Sequence, residues 1–544
     1  MWEQHYTPIA DSLALSALAA AIPIFVLLLL IGVLRKPAWM AALSGLAAAL
    51  VIALFVYGMP FKLAISSTAM GAAFGLFPIG WIVYWAIVLY RLTLETGNFE
   101  IIKDSVGSLT SDRRLQALLI AFALGAFIEG AAGFGTPVAV AAAMLTGLGF
   151  SPFFAAGICL LANTAPVAFG SIGIPIITLG GTTAALHGGD LGAWTNELSA
   201  WVGRLCAPIS IVIPSYLILV MGGFGALRNV LPASLLCGLA FASVQFLMSN
   251  FVGPELVDIV ASLVAILALV ALLKVWHPTE RFVMRGEHEA VLELKSHGFG
   301  RTLLAWSPYL FLVLFVLVWG SPWGGAVLNK VTVPIEWPGL HNLVVRTQPI
   351  VPQPTPYAAS YTLNWLSAAG TACAFATVAA ALVLRVSMRR YVILLGSVAH
   401  QLAFPLLTIA AVVGLAYLMN YAGATITLGL AFAGTGALFP FFSAVLGWLG
   451  VFLTGSDTSS NALFGNLQVV TATRLGLDPA ITAAANSAGG VMGKMISLQS
   501  IAVAVAATGM SRSEEGQLFR FTFKHSVLLA AAIGVLTTIY AYLT

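Results

Sequence analysis

Runs of about 20 apolar residues recur from one end of this chain to the other, each long enough to cross a bilayer as an α-helix. One soluble core cannot absorb so many. Of the 544 residues only 8% are charged, against roughly a quarter in a soluble domain, so a hydrated coat is out of reach. The solvent this chain is built for is lipid. Its net charge of +4 is spread thinly, with no basic run dense enough for nucleic acid. Cys159, Cys206, Cys237 and Cys373 each lie inside an apolar run without CxxC spacing, which reads as buried packing and leaves no expected metal or cofactor. The first residues lack a positive n-region, so 12–34 reads as a retained helix and not as a signal peptide.

Simple spans read at 12–34, 37–58, 64–92, 200–223, 230–250, 255–273, 303–320, 366–386, 392–419 and 521–543. Two stretches, 154–182 and 481–507, are interrupted by Asn, Pro or Gly and read as broken helices. Two more, 115–148 and 438–474, carry a Gly- or Ser-rich break at mid-length and read as re-entrant hairpins. The expected fold is an all-α polytopic membrane protein of about 12 transmembrane helices plus the two hairpins. Taking Arg35/Lys36 as cytoplasmic puts Arg113/Arg114, Arg228, Lys274–Arg301, Arg385–Arg390 and Arg512–Lys524 on the same side. Both termini and the charge-poor segment 321–364 then lie outside.

Four motif pairs recur in order at an offset of about 325 residues: Leu76-Phe77-Pro78 with Ala403-Phe404-Pro405, the 125–130 stretch with 450–455, 148–152 with 475–479, and Ala162-Asn163-Thr164-Ala165 with Ala485-Asn486-Ser487-Ala488. The charge-based orientation makes the repeats inverted. The chain divides into a first repeat, 1–226, connecting helices and a loop, 227–301, and a second repeat, 302–544. Inverted repeats with broken helices place a substrate site near the bilayer midplane.

The breaks hold the candidate chemistry. Gly133 lies in the first hairpin turn, and Ser456, Thr458, Ser459 and Ser460 in the second. Asn163 and Thr164 mark one broken helix, Asn486 and Ser487 the other. Half-helices starting there aim free N–H groups at the membrane centre, which suits a carboxylate, although Gly, Ser and Thr also serve simply as packing residues between helices. Charges within spans are few. Glu129 and Asp457 sit at the hairpin breaks, where a carboxyl can bind and release a proton, and a fixed Asp457–Lys494 ion pair is the alternative. Lys494 can attract an anion, Arg204 reads as a snorkelling structural residue, and His400 is either a proton relay or a buried, bonded histidine.

At EGAAGFGTPVAV (129–140), NTAPVAFGSIGIP (163–175), WLGVFLTGSDTSSNALF (448–464) and GGVMGKMISLQSIA (489–502) the chain resembles the bacterial L-lactate permease family, and the resemblance runs essentially end to end. It implies proton symport of L-lactate and related 2-hydroxy monocarboxylates (D-lactate, glycolate) across the bacterial inner membrane. It further implies an ion-transporter-like carrier working as an elevator, with a homodimer interface on 230–273. Leu498 departs from a proline in the family pattern. The rival reading is a sodium-coupled carrier of another organic anion such as a dicarboxylate. A membrane enzyme finds no support, since no metal-spaced cluster or Ser-His-Asp set is present.

Overall fold

The computed structural model describes all residues except 31–33, 35, 134, 188–189, 281, 283–294, 352, 512–513 and 544. Arg35, Arg281, Arg285 and Arg512 of the basic set, and Phe134 of the first motif, lie outside the described residues. Among those described, ten helices are long and apolar enough to cross a membrane, with five shorter apolar helices beside them. The expected count was about twelve, and part of the difference is continuity. Leu191–Phe251 is one 61-residue helical element carrying both 200–223 and 230–250, broken at Gly223 (φ 72°) and Val230. Its halves fold back on each other, with Ser210 donating to Gln245 at 2.7 Å and Ser215 to Ser234 at 3.0 Å.

The two expected hairpins are helix pairs. The first joins Arg113–Ala131 to Thr136–Gly147 through a turn in which Gly133 and Gly135 take positive φ. The second joins Phe439–Thr454 to Asp457–Leu475 through Gly455 at φ 71° and Ser456. In both, the limbs pack on each other. Glycine is required at these turns because an L side chain is strained in that region.

The first broken helix is broken where expected, at Asn163, but the second is not: Asn486 and Ser487 lie inside a continuous helix, and the break comes after Lys494, so no half-helix starts at Asn486. Pro152–Ala162 ends at Asn163, and Gly170–His187 opens on three left-handed residues, Ser171, Ile172 and Gly173. A β-branched residue at φ 59° is held against its preference. Pro479–Lys494 ends at Met495, and Leu498–Thr508 restarts under a Ser497 cap. The packing is reciprocal across the chain. Gly170–His187 lies on Asp457–Leu475, the second limb of the other hairpin, and Leu498–Thr508 lies on Thr136–Gly147. Asn461 and Asn466 fasten the first of these contacts through the carbonyls of Pro175 (3.1 Å) and Thr182 (2.7 Å).

Pro479–Lys494 packs so closely on Phe439–Thr454 that a side chain at Gly447, Gly489 or Gly493 would strike the facing backbone. This is the small-residue helix contact of membrane proteins, where dispersion rather than the hydrophobic effect holds helices together. Phe61–Phe74 and Met388–Ala422, which precede the two hairpins, pack in the same way, with Gly71 against the backbone of Val413 and Gly414.

The all-α expectation needs one amendment. Segment 333–363 forms two small sheets, Val333–Glu336 with Ser360–Leu363, and Val344–Arg346 between Trp2–Glu3 and Thr355–Pro356. Gln4 then donates to the carbonyls of Asn420 and Tyr421 at 2.9 and 2.8 Å.

Candidate functional site

Ser456 caps Asp457–Leu475, accepting from the Ser459 amide at 3.2 Å, and this places Asp457 in the first helical turn. Asp457 is buried, and its Oδ2 accepts from Ser487 at 2.5 Å and from Asn461 at 3.3 Å. Among the described residues its Oδ1 has no partner. The carboxyl fits because residue 490 is glycine, for a Cβ there would meet Oδ1. Lys494, at the last turn of the same broken helix, donates to the Gly455 carbonyl at 2.6 Å, so the ammonium engages the turn and not a carboxylate. Its charge nonetheless acts on both Asp457 and Glu129.

Glu129 comes from the first hairpin and is 4% exposed. Its carboxyl lies against two glycines, Gly133 and Gly170, where Cβ atoms would stand 3.5 and 2.7 Å from Oε1. Oε2 has no partner. The Asn163 amide lies beside this carboxyl without reaching hydrogen-bonding geometry, and among the described residues both its Oδ1 and its Nδ2 are unsatisfied. A buried polar group without a partner is expensive, so these atoms mark where a ligand or proton can be accommodated.

The two asparagines that match in sequence therefore differ in state. Asn486 donates to Asn461 at 2.9 Å and accepts from Gln468 at 3.1 Å, which commits its amide to the protein. Thr164 donates to the Leu161 carbonyl at 2.7 Å, and Ser460 to that of Gly447 at 3.3 Å. Thr458 and Ser459 are half-buried, and no protein hydrogen bond among the described residues engages their hydroxyls. Two sequence candidates stand elsewhere. His400 is exposed on Met388–Ala422, and Arg204 stacks over Trp201 at 4.5 Å and donates to Asn250 at 2.9 Å.

Three residues at or beside the cluster were not read from the sequence. Gln245 donates to the Ala165 carbonyl at 3.1 Å, satisfying the first broken helix from outside it. Ser171 donates to the Ala132 carbonyl at 3.0 Å, tying that break to the hairpin turn. Asp258 is 1% exposed, and among the described residues neither carboxyl oxygen has a partner. A charge inside the apolar run 255–273 was the signal that could have found it.

Residues 16–544 match the family described as L-lactate permease. The chain is 47% identical to an L-lactate permease of Bacillus subtilis (strain 168), over 98% of each chain. It is 43% identical to the glycolate permease GlcA of Escherichia coli (strain K12), covering 99% of this chain and 98% of that one. An L-lactate permease of the same Escherichia coli strain is 43% identical over 100% of this chain and 98% of its own.

Proposed function

The chain belongs to the L-lactate permease family, and from that premise we propose that this multi-pass membrane transporter carries lactate and related 2-hydroxy monocarboxylates such as glycolate, each with a proton. The observation that carries the reading is the buried cluster itself. Both chain halves contribute to it, and among the described residues it holds acids, one ammonium and amide and carboxyl atoms that no protein group satisfies. A monocarboxylate needs one cation and a few donors. Lys494, the free Asn163 amide and the hydroxyls of Thr458 and Ser459 supply them, while Asn486, Ser487, Ser460 and Thr164 hold the frame and Gly133 leaves room. A dicarboxylate would call for a second cation at the cluster.

The proton is assigned to Glu129 or Asp457, since a carboxyl held away from water at membrane depth is the usual carrier. Several contacts support two inverted repeats with re-entrant hairpins. Arg113, opening the first hairpin, stacks on Phe150 just past its end at 5.5 Å, and Arg114 donates to the carbonyl of Glu280 at 2.8 Å. Both ends of that hairpin thus share a face with the basic loop. Arg474, ending the second, lines a depression of about 380 Å³ with His5, Tyr6 and Thr347, on the face of the first strand. Tyr542 reaches the Ala437 carbonyl at 2.9 Å, just before that hairpin begins. In this reading the hairpins and broken helices move as an elevator past the remaining helices.

Purified protein in proteoliposomes tests the reading. A pH gradient is expected to drive lactate accumulation, whereas a clamped voltage without one is not, because one proton per lactate moves no net charge. Accumulation driven by voltage alone would sink the electroneutral version, and a requirement for sodium would favour the rival anion carrier. Glu129→Gln and Asp457→Asn are expected to lower pH-driven accumulation, at least one of them about tenfold or more. If both variants accumulate lactate as well as the parent, the proton assignment is wrong.

A further inference from the structure

Val257–Leu273 begins against the first hairpin at Gly130, where a Cβ would stand 2.8 Å from the Asp258 Cβ and 3.1 Å from the Ile259 amide. Gly130 follows Glu129 directly, so the absence of a side chain there brings a second acid up to the hairpin. Asp258 is 1% exposed, and among the described residues neither of its oxygens accepts a hydrogen bond. Ordinary structural carboxylates at such depth are paired. This one stands in the first turn of its helix, where the helix dipole favours a negative charge while burial opposes it. A group pulled both ways can exist in two protonation states.

The surroundings narrow its role. The charged group that acts on Asp258 is Glu129. Cys206, from Leu191–Phe251, lies within electrostatic range of Asp258 and of Asp457. Lys494, from Pro479–Lys494, acts on Glu129 and Asp457. Gly170–His187 also packs on this helix, its one ionisable residue, His187, being its last, and Glu255 is half-buried one turn earlier on the same segment as Asp258. Three buried acids therefore stand against one buried ammonium. Two charges remain to be neutralised before substrate arrives, and a bound monocarboxylate adds a third. Each lactate then calls for one more proton.

We propose that Asp258 is a proton-binding residue of the transport site, sharing a proton with Glu129 across the Gly130 contact. Passing the proton breaks an O–H bond on one carboxyl and forms one on the other, with nothing else consumed. The pair lies between the first hairpin and a helix of the connecting segment, so movement of one past the other would part the acids or reunite them. This rests on the proton-symport reading and adds to it a residue from outside both hairpins and both broken helices.

The test is the ratio of protons to lactate entering proteoliposomes loaded with a pH-sensitive dye, with lactate driven down its own gradient. The parent is expected to show a ratio near one. Asp258→Asn is expected to lower that ratio by about half or more, and Asp258→Glu to restore it. An unchanged ratio in Asp258→Asn overturns the proposal and leaves the symport reading intact. Transport lost in Asp258→Asn and not recovered in Asp258→Glu makes the residue structural and overturns it too. A ratio of zero in the parent removes the symport reading itself, and the proposal with it.

Discussion

Asn163 and Asn486 occupy matching places in the two halves, yet one amide is free and the other is bonded at both ends. Their substitutions should separate accordingly. Asn486→Ala strands the Asn461 carbonyl oxygen and a Gln468 N–H, each a buried group that costs about 1–3 kcal/mol unpaired. It is expected to lower the thermal unfolding midpoint in detergent. Asn163→Ala breaks no protein hydrogen bond and is expected to leave that midpoint nearly unchanged while raising the lactate concentration for half-maximal uptake several-fold, by about 1 kcal/mol of lost binding. If Asn163→Ala unfolds early with normal uptake, the roles are reversed. The sequence pointed to Asn163 by a true break in an apolar run, and to Asn486 by polar and small residues that read as a break and are instead carried inside Pro479–Lys494. Which amide was already committed depended on Gln468 and Asn461 arriving from another helix. Asp258 escaped notice because it stands near the edge of its run, where a charge reads as the end of a span.

Helices long enough to span were legible in the sequence, and so was the interruption at Asn163, because lipid imposes length and apolarity directly, whereas the second interruption was read about ten residues too early. Shorter elements were not. Asn98–Gly107 buries Phe99, Ile102 and Val106 on one face, a period-3.6 stripe too short to register as a span. The strands between 333 and 363 are two to four residues long and are fixed from outside, by Trp337 donating to the Ser66 carbonyl at 3.0 Å and Tyr361 to that of Phe77 at 2.8 Å. Glycines, by contrast, mark close helix contacts that can be tested. Gly447→Ala drives a methyl into the Asn486 backbone and is expected to cost about 1–3 kcal/mol or more by overpacking. Gly434→Ala meets nothing within 4 Å and is expected to be near neutral. Thermal unfolding of the two variants side by side checks the contrast, and equal midpoints would refute the close contact.

Over the whole molecule, contacts sort the loops into two faces. Trp2–Glu3 pairs with Val344–Arg346 on one, while His297 meets Asp104 at 2.7 Å and Arg114 meets Glu280 on the other. By the positive-inside rule we propose that the second face is the cytoplasmic one. All four native cysteines are buried, so single cysteines introduced at exposed positions can report sidedness. Gln353→Cys is expected to react with a membrane-impermeant maleimide in intact cells, and Lys295→Cys only after permeabilisation. The opposite pattern would turn the protein over.

The reciprocal packing of Gly170–His187 on the second hairpin and of Leu498–Thr508 on the first bears on ancestry and on fragments. A half-length chain would make a hairpin limb and a half-helix that have no mates within it. If the halves arose by duplication, the ancestral polypeptide could close its core only by interlocking with another copy inserted upside down. On that proposal the present chain would be the interlocked pair made covalent, and the cross-packing by itself leads us to expect that neither half folds when expressed without the other.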